Sequence, residues 1–132
     1  KTSTLTTKSN INKTFSQLQY VPFGGDTHMV KELTDAEFDD FTKKSKIAII
    51  DMWADWCGPC KMVAPTFEQL SKEYEGKIEF AKLDIMANPL AAQKYNVVSI
   101  PAFLIFKNGK KAGELFGAMP KHMFKEQLEE FL

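Results

Sequence analysis

The 132-residue chain has no arginine: its 17 positive charges are all lysine, and 17 acids balance them to zero formal net charge. The planar, bidentate fork best suited to phosphate and guanine is therefore missing. Zero net charge also gives no long-range pull toward nucleic acid or a membrane surface, so neither is expected as a partner. No apolar run approaches the roughly 18 residues of a membrane helix. There are only two cysteines and two histidines. Two cysteines cannot build a disulfide framework, and His28 and His122 lie too far off in sequence to complete a four-ligand zinc site in any obvious way. No metal and no cofactor are expected. What remains, 44% hydrophobic and 26% charged, is the composition of one soluble globular domain, read as monomeric.

Charge is unevenly placed along the chain. Residues 1–25 carry three lysines and no acid, leaving 14 lysines and 17 acids for the rest, a net of −3. That opening segment is rich in Thr, Ser, Asn and Lys, lacks a sustained period and ends at Gly24-Gly25. It reads as a disordered extension preceding a domain over residues 26–132. Its lack of acids is a trait of organelle targeting peptides, while its lack of arginine is not, and no apolar stretch of a secretory signal is present. The expected location is the cytoplasm, or an organelle matrix if residues 1–25 are a targeting remnant. The sequon Asn12-Lys13-Thr14 matters only in a secreted protein.

From Asp26 onward the patterns are distinct. Thr34 and Glu37 have capping-box spacing, with Leu33 and Phe38 placed as a hydrophobic staple, which predicts a helix from Asp35. Ile47–Ile50 is short, apolar and β-branched, a buried strand. Val63, Phe67, Leu70 and Tyr74 recur at helical spacing and stop before Gly76. A strand is predicted over Ile78–Leu83, then a short helix capped by Asn88 with Pro89 at its first position. Ala102–Phe106 and Lys111–Phe116 flank Asn108-Gly109, the signal of a tight hairpin. Phe124, Leu128, Phe131 and Leu132 give one face of a last helix. This order predicts an α/β fold, a mixed sheet with helices on both faces.

The two cysteines stand at Cys57-Gly58-Pro59-Cys60, directly after the first buried strand. The first turn of a helix brings residues i and i+3 within the Cα separation a disulfide needs, so a dithiol there can close and reopen with little backbone motion. Free N–H groups and the positive dipole end favour thiolate on the first sulfur. Bringing a thiol from about 8.5 to about 7, a value known for such motifs, requires roughly 2 kcal/mol. A dipole effect of about 0.3–1 kcal/mol does not supply that alone, so hydrogen bonds to sulfur must add to it. The thiolate fraction at pH 7 rises about 15-fold while nucleophilicity falls about fivefold, a net gain near threefold. Substrate docking must therefore contribute much of the specificity. A structural disulfide closing so small a loop would stabilise little, which leaves redox chemistry as the reading.

Asp51 follows the apolar run and precedes Met52-Trp53. A carboxyl at the buried end of a strand has its pKa raised by desolvation, and one placed six residues before Cys57 could carry the proton of Cys60. The alternative is an Asp that simply ends the strand in water.

The run Asp51-Met52-Trp53-Ala54-Asp55-Trp56-Cys57-Gly58-Pro59-Cys60-Lys61 is similar to the signature of the thioredoxin family. The likeness extends through Pro65, Lys82, Ile100-Pro101, Lys107-Asn108-Gly109 and Gly117, covering roughly residues 28–132. It implies the thioredoxin fold and reduction of protein disulfides, with disulfide-containing proteins as substrates and a thioredoxin reductase recharging the dithiol. By this resemblance Cys57 is the exposed attacking thiolate and Cys60 the buried resolving thiol. Asp51, with Lys82 beside it, transfers the Cys60 proton. Pro101 is cis and faces the cysteines, and the Ile100 backbone pairs with an extended substrate. Trp56, Ile85, Ser99, Ile100, Phe116, Gly117 and Ala118 form a flat docking surface. Read without the family, Pro101 is a strand-start proline, Trp53 a core residue and Pro65 a helix kink. Ala102 stands where the family often has Thr, and Phe116 where a smaller aliphatic residue is common; both bear on partner choice. A redox-inert binding or chaperone module could use the same face, but it would need neither both cysteines nor Asp51 and Pro101. A thiol oxidase would share all four and differ only in potential.

Overall fold

The computed structural model describes residues 30–132. The expected disordered extension 1–25, the sequon and His28 lie outside that range. Nine elements follow in order: β1 (Val30–Leu33), α1 (Asp35–Lys44), β2 (Ile47–Trp53), α2 (Gly58–Glu73), β3 (Glu79–Asp84), α3 (Pro89–Lys94), β4 (Ala102–Lys107), β5 (Lys110–Phe116) and α4 (Lys121–Glu129). The sheet order is β1-β3-β2-β4-β5. β3 runs parallel to both β1 and β2, whereas β4 is antiparallel to β2 and to β5. This is the mixed sheet of the thioredoxin fold.

The hydrophobic pattern explains the layering. Successive strand residues face opposite sides of a sheet, so β2 supplies Ile49 to one layer and Ala48, Ile50 and Met52 to the other. The first layer is closed by Val63, Phe67 and Leu70 of α2 and by Phe124 and Leu128 of α4. The second is closed by Phe38 of α1 and Ala91 of α3. In β4, Ala102 through Phe106 are all buried because both faces are covered. Phe67 joins its layer edge to face, 5.0 Å from Phe80 between ring centroids, and Phe103 lies 4.7 Å from Phe124. Such pairs each contribute about 0.5–1.5 kcal/mol beyond area burial.

Local signals acted largely as the sequence predicts. The Thr34 N–H donates to Glu37 Oε1 at 3.1 Å and the Glu37 N–H to the Thr34 carbonyl at 3.1 Å, starting α1 at Asp35. Asn108 and Gly109 both take positive φ, 52° and 86°, the combination a two-residue turn with the sheet's twist demands. Pro65 sits exposed within α2, and the helix passes through it.

Three features differ. The last helix ends at Glu129, so Phe131 and Leu132 lie beyond it, and Leu132 is exposed rather than part of its apolar face. β1 is absent from the sequence-based reading because Val30 and Leu33 are buried on opposite faces, which leaves no alternation to detect. Asn88 occupies the start of α3, but its side chain does not cap that helix. Its Oδ1 accepts the Asp35 N–H at 3.0 Å instead, while the Asp35 carboxylate accepts the Leu90 and Ala91 N–H groups. The two helix starts are packed against each other, so each satisfies the other's free donors.

Candidate active site

The site grows from the end of β2. The Cys57 N–H bonds back to the Ala54 carbonyl at 3.1 Å, closing the turn into α2, and the Lys61 N–H reaches the Cys57 carbonyl at 3.3 Å. Cys57 is the residue at the helix cap, with extended φ and ψ of −94° and 104°. Its Sγ accepts the Cys60 N–H at 3.2 Å, where a Ser or Asp oxygen commonly sits. In this oxidised form the cap position thus gives the first sulfur a backbone donor. Pro59 in the same turn offers no competing N–H.

Cys57 and Cys60 are joined by a disulfide with Cα atoms 5.3 Å apart. The resemblance implies an exposed Cys57, yet both residues are nearly covered, at 5% and 3% exposure. In the disulfide form the Cys57 sulfur is turned in toward Cys60 and the helix. What lies open beside it is Trp56, 67% exposed.

Asp51 is buried on the α2 side of β2, in register with Lys82 of β3 and Phe103 of β4. Desolvation raises its carboxyl from 3.8 to about 7, and the Lys82 charge opposes that rise without cancelling it. Its Oδ1 accepts no hydrogen bond among the described residues. An unsatisfied buried oxygen near neutral pKa is suited to exchanging a proton with a neighbouring group. Lys82 is Asp51's neighbour in the ladder, but its ammonium pairs with Glu32 Oε2 at 3.5 Å and lies 5.5 Å from the Trp53 ring centroid. Glu32, part of the unforeseen β1, was not singled out by sequence; its signal would have been recognition of that strand.

Register gathers the remaining expected residues at one end of the sheet. β2 and β3 are parallel and finish there at Trp53 and Asp84; antiparallel β4 starts there at Ala102, paired with Phe116 at the end of β5. Trp56 through Cys60, Ile85, Ser99 through Pro101, and Phe116 through Ala118 therefore emerge at the same rim. The Ile100–Pro101 bond is cis, and the Gly117 N–H bonds the Pro101 carbonyl at 2.9 Å. The Ile85 N–H bonds the Trp53 carbonyl at 3.0 Å. Trp56, Ser99, Phe116 and Ala118 are exposed, whereas Ile85, Ile100 and Gly117 are half-buried and Pro101 is buried. Three further exposed apolar side chains flank these segments: Met62, Met86 and Val98. No periodicity marks them, so only solvent exposure reveals them.

Among the described residues, no three His, Cys, Asp or Glu side chains are grouped to hold a metal ion. No described helix is long and apolar enough to cross a membrane.

The comparisons with known proteins agree with this geometry. A family model described as Thioredoxin matches residues 29–130. Curated thioredoxins from Staphylococcus aureus strains Mu50, MW2 and N315 are each 44% identical over 103 residues, which is 78% of this chain and 98% of theirs. With a cysteine pair at disulfide distance in the first turn of α2, the chain belongs to the thioredoxin family, as a thiol–disulfide oxidoreductase that reduces protein disulfides.

Proposed function

We propose that Cys57 is the attacking thiolate and Cys60 the resolving thiol. The Cys57 sulfur attacks one sulfur of a substrate disulfide, forming a mixed disulfide and releasing the first substrate thiolate. Cys60 then gives its proton to the Asp51 carboxylate, and its thiolate attacks Cys57 Sγ. That step forms the Cys57–Cys60 disulfide and releases the second substrate thiolate. Two electrons pass from the dithiol to the substrate. The observation that carries this order is the Cys60 N–H aimed at Cys57 Sγ, a stabilising donor that the cap position gives to the first sulfur.

Asp51 is the proton carrier in this reading, and Lys82 modulates it. Trp56, Ile85, Ser99, Ile100, Pro101, Phe116, Gly117 and Ala118 form the docking surface, where the Ile100 backbone pairs with an extended substrate segment. Disulfide-containing proteins are the substrates, and a thioredoxin reductase returns the pair to the dithiol. We assign the working domain to residues 26–132, acting as a monomer in the cytoplasm.

Replacing Cys60 with Ser leaves the first attack intact and removes the second. That variant should accumulate mixed disulfides that survive a denaturing gel and vanish with dithiol, while Cys57→Ser should trap nothing. Trapping through Cys60 in the Cys57 variant would reverse the assignment. A Cys60 variant that traps nothing yet binds partners as tightly as the parent would favour the binding module.

A further inference from the structure

Glu32, Lys82 and Asp51 occupy one register row on three neighbouring strands, β1, β3 and β2, and face the same side. At about 4.8 Å between strands, the two acids flank a single lysine. The lysine is not shared evenly. Its Nζ stands 3.5 Å from Glu32 Oε2 and 5.5 Å from the Trp53 ring centroid, while Asp51 Oδ1 is buried without a hydrogen bond among the described residues. The Glu32 side chain is 74% exposed and that of Lys82 32%. The ammonium thus leans outward, to the rim of an open cleft of about 420 Å³ bordered by Glu32, Trp53, Lys82 and Asp84.

We propose that Glu32 is a positioning residue for the exchange reaction: by holding the Lys82 ammonium at the outer side of the sheet, it keeps that charge off Asp51 and leaves the carboxyl able to hold a proton. This rests on Asp51 serving as the proton carrier for Cys60. Among the described residues, the groups around Asp51 come from three elements. Lys82 approaches from β3, with Glu32 of β1 and Asp84 beyond it. Asp84 Oδ1 is engaged by the Met86 N–H at 2.9 Å. β4 presents uncharged Phe103. α2 covers this face with Val63 and Phe67, which sets its first turn, with Cys57 and Cys60, at the Asp51 end of β2. The α4 charges Lys121 and Lys125 pair with Glu73 at the far end of α2.

Neutralising Glu32 has two effects of one sign. It removes a negative charge from the row, and it frees the Lys82 ammonium to approach Asp51. Both favour the Asp51 carboxylate, so the carboxyl must titrate at lower pH.

The test is a carboxyl ¹³C NMR titration of Asp51 in the reduced full-length protein, alongside the pH profile of mixed-disulfide resolution. Glu32→Gln should move both midpoints down by about half a unit, the size an exposed ion pair supports. Lys82→Met should move them up. In the Lys82→Met background, adding Glu32→Gln should produce less than half its original shift, because the charge it steers is gone. Glu126→Gln, removing an exposed acid on α4, should leave the midpoints in place. No shift in Glu32→Gln, or the same shift with and without Lys82, overturns the proposal while Asp51 keeps its role. A resolution rate that ignores the Asp51 titration removes that role, and the function proposed for Glu32 with it.

Discussion

Asp35 and Asn88, 53 residues apart, cap each other's helices. Asn88 Oδ1 takes the Asp35 N–H at 3.0 Å, and the Asp35 carboxylate takes the Leu90 and Ala91 N–H groups at 3.0 and 2.9 Å. The carboxylate also meets the positive end of α3, so its two bonds are charge-assisted. Removing it with Asp35→Ala leaves two donors at the start of a six-residue helix that has little stability of its own. The expected cost is about 1–2 kcal/mol. In thermal unfolding that is a drop of about 4–8 °C per kcal/mol. A melting temperature within a degree of the parent would show that water replaces Asp35 without loss.

Asp51 makes stability depend on pH. A carboxyl raised from 3.8 to about 7 favours the folded state when protonated. Its contribution is full below about pH 4 and is lost as pH rises toward 7 and beyond. Asp51→Asn escapes that loss. The variant should gain on the parent progressively between pH 4 and 8, by up to about 4 kcal/mol for a shift of roughly three units. Urea unfolding at pH 4 and pH 9 reads the difference directly. Equal stability differences at the two ends would mean the carboxyl is not buried as described.

Phe116 is exposed at the end of β5, opposite Ala102 and next to the Gly117 that bonds Pro101. An exposed aromatic at the same rim as the reactive pair is suited to anchoring a protein substrate. Phe116→Ala should lower kcat/KM toward a protein disulfide about 5- to 30-fold, as a loss of about 1–2 kcal/mol implies. Reduction of a small disulfide, which needs no docking, should stay within twofold. A parallel fall for both substrates would place the effect on the cysteines rather than on the surface.

Gly113 can take a side chain only if the Phe131 ring moves. A Cβ built there meets Cε1 and Cζ of the Phe131 ring, which packs against the α2-side core from just beyond α4. Gly113→Ala should destabilise by about 1–3 kcal/mol through overpacking. Shortening the ring with Phe131→Leu in the same chain should recover part of that cost, a coupling measurable by denaturant unfolding. Strict additivity of the two changes would place the strain elsewhere.

The reactive pair and most of the framework are legible in local pattern. Cys57 and Cys60, their place at a helix start, the Thr34–Glu37 cap and the Asn108-Gly109 turn all rest on contacts within a few residues, so spacing alone reveals them. The buried β-branched run ahead of Asp51 likewise implied its raised carboxyl. The rest depends on long-range packing. β1 exists because its four residues can pair with β3, and no local period announces it. Asn88 caps α1 rather than α3 because packing brought a distant backbone donor closer than its own helix could. Lys82 pairs with Glu32 because strand order places both acids beside it and only one remains accessible. Each of these depends on partners brought together by chain crossover, and loop closure over fifty residues leaves no mark on neighbouring positions.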